Sequence, residues 1–245
     1  MAPMGQRGID HLVLAVRDLD AAATYYEGLG FTLTPQAQHP FGTGNRLVQL
    51  QGGFLELLSV TEPDWISEAA PGAFSFGAYN RDYLAAREGM SMIALQSGSW
   101  ENDRADFEAA GLALPEPFSF SRMAAQPDGS EVEMGFDLTF VPRDAAPDAM
   151  FFTCQHRHAP THFYKPDYQR HANGATRIAR VTIETPDTGA TAAFLQALGV
   201  DESLFELVEA AEEHFAGFEI AVDGKDTPDP TTAFGVEIRF CEEKE

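Results

Sequence analysis

The side chains best able to do chemistry here are His11, Glu56 and His156, each set among apolar neighbours. His11 lies within Gly8 to Val16, GIDHLVLAV, which alternates as a strand. Leu12, Leu14 and Val16 fall on one face, and Ile9, His11, Val13 and Ala15 on the other. Both faces are largely apolar, so the strand is expected to be covered on both sides. An imidazole inside such a face needs a hydrogen-bond partner, a metal or a ligand, because leaving it unpaired costs on the order of a few kcal/mol. From this strand alone, a core histidine bonded to a neighbour is the reading ahead of a site. Glu56 shares a strand face with Phe54, Leu58 and Val60, and a carboxylate is rarely buried there without a cation or several hydrogen bonds. Phe152, Cys154 and His156 share one face of a later strand, with His158 two residues on.

The elements that must position these groups follow from periodicity and punctuation. Asp18 caps a helix whose stripe is Leu19, Ala22, Ala23, Tyr26 and Leu29, and Gly30 ends it in a left-handed conformation. Residues 31–38, 45–51 and 53–60 read as strands, the last two a hairpin turned at Gly52-Gly53. The same opening recurs at 89–97, where Ser99 caps a helix with Trp100, Phe107 and Ala110 that Gly111 stops. It recurs again at 177–184, where Asp187 or Thr188 caps a helix with Ala190, Ala193, Phe194, Ala197 and Leu198 that Gly199 stops. These glycines lie 81 and 88 residues apart (30 to 111, 111 to 199), an internal repeat of an α+β unit. Such a unit cannot cover its own sheet, so neighbouring copies are expected to pair and curl around a shared cleft. The second copy continues through strands near 117–124, 131–141 and 149–156. The third has strands near 215–222 and 234–240, but its acidic middle, 201–214, looks helical. The domain expectation is therefore a first module over 1–60, a second over 89–156 and a partial third over 175–245.

Two connectors remain. Residues 61–88 carry Trp65, Phe74, Phe76, Tyr79 and Tyr83, unpatterned aromatics suited to lining a cleft or to packing over a sheet edge. Residues 157–175 hold three of the seven histidines in a stretch too polar and proline-rich for a regular element. Within it, His171-Ala172-Asn173-Gly174 reads first as a turn.

Composition removes several function classes. A net charge of −22 repels phosphate backbones and anionic membranes, so nucleic acid and membrane partners are not expected. No glycine-rich dinucleotide motif follows a strand and there is no P-loop, so no nucleotide cofactor is expected. The only cysteines, Cys154 and Cys241, argue against a disulfide framework or a cysteine-rich zinc site. The N-terminal MAPMGQRG lacks the apolar core of a signal peptide, which makes a cytoplasmic location the expectation.

Ile9-Asp10-His11-Leu12-Val13-Leu14, Asp18-Leu19, Tyr25-Tyr26, Leu29-Gly30-Phe31 and Phe54-Leu55-Glu56-Leu57-Leu58 together resemble the vicinal oxygen chelate superfamily. That superfamily includes glyoxalase I, methylmalonyl-CoA epimerase, extradiol dioxygenases and bleomycin-resistance proteins. His39-Pro40-Phe41-Gly42-Thr43-Gly44-Asn45-Arg46-Leu47 looks more specifically like its glyoxalase-like branch. The resemblance implies paired βαβββ modules forming a curved mixed sheet, a cup, with a degenerate third module at the C-terminus. It also implies a divalent metal held by the first and last strands of each module. Carried over, His11 and Glu56 match the ligand positions of the first module, and an imidazole with a carboxylate suits zinc, nickel, manganese or ferrous iron. In the second module the repeat lands on Met92, a poor ligand, and no carboxylate occupies the expected place, although His156 could complete a site with His11 and Glu56. Without a metal, His11 and Glu56 would remain a hydrogen-bonded pair suited to general-base work or to holding a polar ligand.

The function implied first is a glyoxalase-like lyase or isomerase that abstracts a proton next to a carbonyl, with Glu56 and His11 catalytic. His39, Asn45 and Arg46 are its candidate substrate-binding residues at the rim of the cup. For the same stretch, a turn held by Asn and Thr side chains is an equal reading. The alternative function is a non-catalytic protein that sequesters a small molecule, as resistance proteins of this fold do. Extradiol ring cleavage ranks third, since it needs a complete two-His-one-carboxylate set. The expected partner is a small-molecule substrate or ligand, with homodimerisation left open.

Overall fold

β1 (Ile9–Ala15) is buried along its whole length, and the rest of the sheet grows outward from it. The computed structural model describes residues 6–125, 129–224 and 227–243; the first five residues of the N-terminal stretch read above lie outside the described residues. After β1 come α1 (Leu19–Gly28), β2 (Ala37–Gln38), β3 (Thr43–Leu50), β4 (Gly53–Val60) and α2 (Phe76–Ala86). Next are β5 (Gly89–Gln96), α3 (Trp100–Ala109), β6 (Phe118–Ala125), β7 (Glu131–Val141), β8 (Met150–His156) and the short α4 (Pro160–Phe163). The chain ends with β9 (Ala175–Thr185), α5 (Thr188–Leu198), β10 (Phe205–Glu209), β11 (His214–Val222), β12 (Thr231–Ala233) and β13 (Val236–Glu242).

The helix starts and stops follow the local chemistry. The carboxylates of Asp18 and Asp187 and the hydroxyl of Ser99 accept from the backbone N–H of Ala21, Ala190 and Asn102. Gly30, Gly111 and Gly199 all take positive φ where the helices stop.

The strands form one mixed α+β sheet. β1 pairs parallel with β4, and β5 pairs parallel with β8. β1 and β5 run antiparallel side by side, so β2-β3-β4-β1 continues into β5-β8-β7-β6 as a curved sheet. β9, β10, β11, β12 and β13 join through the pairing of Phe215 with Met90. Their apolar residues Val181, Phe218 and Ile238 share one core with Leu12, Leu55 and Ile93. Val13, Leu47, Phe54, Phe136 and Phe152 form a separate cluster on the other face. The C-terminal strands thus extend the sheet and cover the face opposite the cup.

Five expectations change. The 157–175 segment does hold a regular element, the one-turn helix α4, started by Pro160 at its first position. Phe31 to Gln36 is not a strand, and only Ala37–Gln38 pairs, against Gly44 and Asn45. The acidic stretch after Asp201 is a single 3₁₀ turn, Glu202–Leu204, and then β10, parallel to β9 with Phe205 buried. Pairing to an existing strand outweighs local helix preference there. The 61–88 connector contains α2, capped by Ser75, and Trp65 stands exposed. Finally, Ile9 packs with Leu12 and Leu14, away from His11. The β1–β5 register shifts between Ile9 and His11, and this bulge at Asp10 breaks the alternation.

Candidate active site

That bulge turns a carboxylate into the cup. Asp10 and His11 would point to opposite faces of a regular strand, yet His11 Nδ1 lies 2.6 Å from Asp10 Oδ2. The ring stacks on Phe54 at 4.3 Å between centroids and meets Phe152 edge-on. With Nδ1 committed to Asp10, any proton the ring exchanges with a ligand passes through Nε2. Nε2 faces Glu56 Oε2 at 3.6 Å. The other oxygen, Oε1, accepts a 2.5 Å hydrogen bond from Asn45 Nδ2.

The same Asn45 amide lies 3.3 Å from His39 Nε2, so that nitrogen is the acceptor and Nδ1–H donates to Thr43 Oγ1 at 2.9 Å. Burial pushes the His39 imidazole down to about 4, against the pull of the Glu56 charge, and the ring is neutral near pH 7. Because the carboxylate fixes which end of Asn45 faces it, Asn45 Oδ1 is left buried with no hydrogen-bond partner.

Asp10 Oδ2 also accepts from His156 Nε2 at 3.2 Å. Burial alone would raise the Asp10 carboxyl, but the hydrogen bonds from His11 and His156 outweigh it and hold it at about 2. His156 Nδ1 in turn contacts His158 Nε2 at 3.3 Å, and His158 Nδ1–H donates to the Gly135 carbonyl.

Around this floor the walls are aromatic. Phe41, Phe76, Phe120, Phe136 and Phe163 line a cavity together with Arg122 and Cys154. Burial lowers the Arg122 guanidinium from its usual value, with the Glu56 charge partly offsetting that. A glyoxalase-like domain family matches residues 9–199, the whole cup and the chain as far as the end of α5.

The chain belongs to the glyoxalase-like family.

This family is part of the vicinal oxygen chelate superfamily. Comparison with curated proteins gives no match. Among solved structures, a hypothetical protein from Staphylococcus aureus is 13% identical, covering 96% of this chain and 99% of its own at a TM-score of 0.74. That likeness shows the fold. Methylmalonyl-CoA epimerase from Mycobacterium tuberculosis is 16% identical, covering 63% of this chain and 91% of its own at a TM-score of 0.44.

For a glyoxalase-like chain, the metal positions can be read from strand register. His11 pairs with Phe54 and Glu56 lies two residues on; Met92 pairs with Met150, so Phe152 is the counterpart of Glu56. Both positions in the second half, Met92 and Phe152, are apolar and buried. His156 does not supply the missing ligand to His11 and Glu56, because its Nε2 turns to Asp10. The ligand set expected from the resemblance is therefore not assembled, and His11 and Glu56 alone offer too few atoms to hold an ion tightly. Asp10, Cys154 and His156 do offer ligand atoms within 4.8 Å of one another. There the Asp10 oxygen also serves two imidazoles, and burial raises the Cys154 thiol well above its usual value.

Of the expected substrate-binding residues, His39 and Asn45 reach the cluster and Arg46 does not. Arg46 alternates to the other face of β3 and pairs with Asp20 of α1 at 2.8 Å. His171 to Gly174 does form a turn, closed by the Gly174 N–H donating to the His171 carbonyl. Asp10 and Arg122 were not anticipated. Asp10 needed the bulge to be seen, whereas Arg122 shares a strand face with Phe118 and Phe120, and a lone cation on an apolar face was a usable signal.

Proposed function

We propose that the cup catalyses proton transfer at a carbon next to a carbonyl, the step of a small-molecule isomerase or lyase. One observation carries this reading: two atoms able to exchange protons, His11 Nε2 and Glu56 Oε2, face each other at 3.6 Å in one apolar-walled cavity. Glu56 takes the proton, while the Asn45 amide steadies its other oxygen. His11, held by Asp10, enters the step with a proton on Nε2 and gives it to the carbon or shares it with the developing oxyanion, while Glu56 keeps the proton it has taken. The phenylalanine walls keep water from competing for the carbanion. No step is assigned to a metal, because the residues at the second pair of ligand positions are Met92 and Phe152. Membership in the glyoxalase-like family supports chemistry of this isomerase or lyase class. In this reading 1–60 and 89–156 are the two halves of the cup, 175–245 is the supporting module, and the partner is a small molecule.

The test is deuterium exchange, followed by NMR, into a panel of small carbonyl compounds and acids in D₂O. Glu56→Gln should slow exchange by about 100-fold or more with the fold retained, while Met92→Ala should alter packing only. Exchange at the wild-type rate in Glu56→Gln would remove Glu56 from the mechanism. The apolar pair Met92 and Phe152 favours a second reading, a protein that only sequesters its ligand. Stoichiometric binding without exchange by the wild type would establish that one.

A further inference from the structure

The Arg122 guanidinium makes no hydrogen bond or ion pair with any described residue, although it is half-buried on β6. It lines the aromatic cavity and also the wider groove beside it, where Thr34, Gln38, Met123 and Tyr168 form the walls. Asn45 lines both spaces too, and its buried Oδ1 lacks a donor. Arg122, without a hydrogen-bond partner among the described residues, thus stands at the wall shared by the cavity and its outer groove, which Asn45 also lines with its Oδ1 buried and unpaired. Keeping a guanidinium partly desolvated without a counter-charge is costly, and so is burying an unpaired carbonyl oxygen. The nearby Glu56 carboxylate relieves part of the first cost through space, but its Oε1 is engaged by Asn45 and its Oε2 faces His11.

We propose that Arg122 is the anchor for a carboxylate on the ligand, and that Asn45 Oδ1 accepts from a hydroxyl or N–H beside that carboxylate. The planar fork of a guanidinium matches a carboxylate with two parallel hydrogen bonds. The phenylalanine walls take the remainder of the ligand, so it has an apolar aryl or alkyl body. The ligand class is an apolar 2-hydroxy or 2-amino acid, or its 2-oxo counterpart bound through Arg122 alone. This identification names the substrate class of the proton-transfer site above and rests on that reading only for which carbon reacts.

Isothermal titration calorimetry with mandelate, mandelamide and phenyl phosphate tests it, with 2-hydroxyhexanoate as the alkyl counterpart of mandelate. Mandelate or 2-hydroxyhexanoate should bind the wild type at least about tenfold more tightly than mandelamide. Arg122→Met should erase that preference, and Arg122→Lys should keep part of it, both with an unchanged near-ultraviolet circular dichroism spectrum. Equal binding of mandelate and mandelamide would overturn the proposal. So would an unaltered preference in Arg122→Met, tighter binding of phenyl phosphate, or failure of both acids to bind at about 10 mM. Deuterium exchange at the 2-carbon, read in the same samples, separates the two ideas. Arg122-dependent binding without exchange upholds the carboxylate anchor and removes the catalytic reading. Exchange of neutral ketones with no preference for acids does the reverse.

Discussion

His171 shows how one side chain ties the histidine-rich segment to the sheet. Its Nδ1 accepts from the backbone N–H of Thr32 at 3.0 Å, and its Nε2–H donates to the Gln49 carbonyl at 2.9 Å. Only the neutral ring can do both, and burial lowers its pKa from the usual histidine value, opposed by the Gln49 bond. The unfolded chain therefore takes up a proton near pH 6.5 that the folded ring refuses. The stability His171 contributes is complete above about pH 6.5 and declines as the pH falls below it. Urea unfolding at about pH 7.5 and about pH 5.5 should show a smaller acid loss in His171→Gln than in the wild type. Equal losses would show that His171 does not couple folding to pH. The sequence revealed the turn around His171 but not this clasp, because Thr32 and Gln49 lie far from it along the chain. Asp10 was hidden for another reason. Perfect alternation sends it away from His11, and the shift in the β1–β5 register that reverses this depends on how two distant strands align.

At the scale of elements, α2 is tied to the site because its first residue, Phe76, forms part of the cavity wall, as Phe163 of α4 does. Gly77 makes the docking possible. A Cβ at that position would stand 2.3 Å from the Phe41 carbonyl oxygen and 3.2 Å from Ile66. Gly77→Ala should therefore push α2 outward at a cost of about 1–3 kcal/mol, lowering the thermal midpoint and weakening ligand binding together. A midpoint equal to wild type would mean that the helix docks loosely and that Phe76 is not held as a wall. The strand–helix openings were legible because caps, stripes and stop glycines are local signals, as Asp18 and Gly30 illustrate. α2 carries the same kind of signal, a Ser75 cap and Phe76, Tyr79 and Tyr83 at helical spacing, but inside a connector whose other aromatics follow no period. The third opening was legible in type but not in facing: α5 buries Thr191, Phe194, Leu195 and Leu198, whereas Ala190 and Ala193 are exposed. Alanine marks a helix well but a buried face poorly, because it gains little from burial.

For the whole molecule, a net charge of −22 sits awkwardly beside a site whose Arg122 is proposed to hold a carboxylate. The two act over different distances. The summed field of the acidic surface reaches out by about one Debye length, roughly 30 Å at 0.01 M salt and 8 Å at 0.15 M. It repels an approaching anion and slows encounter. Once inside, the carboxylate is in contact with the guanidinium in a partly desolvated space, where salt screens much less. Raising ionic strength from about 10 mM to about 150 mM should thus speed association of mandelate and leave its dissociation rate nearly unchanged. The sign is opposite to that of a site embedded in a basic surface. Stopped-flow mixing that follows the fluorescence of Trp100 and Trp65 would measure both rates, given a detectable change on binding. Association that slows as salt is added would mean that local positive potential, not Arg122 contact within a repulsive field, governs entry to the cup.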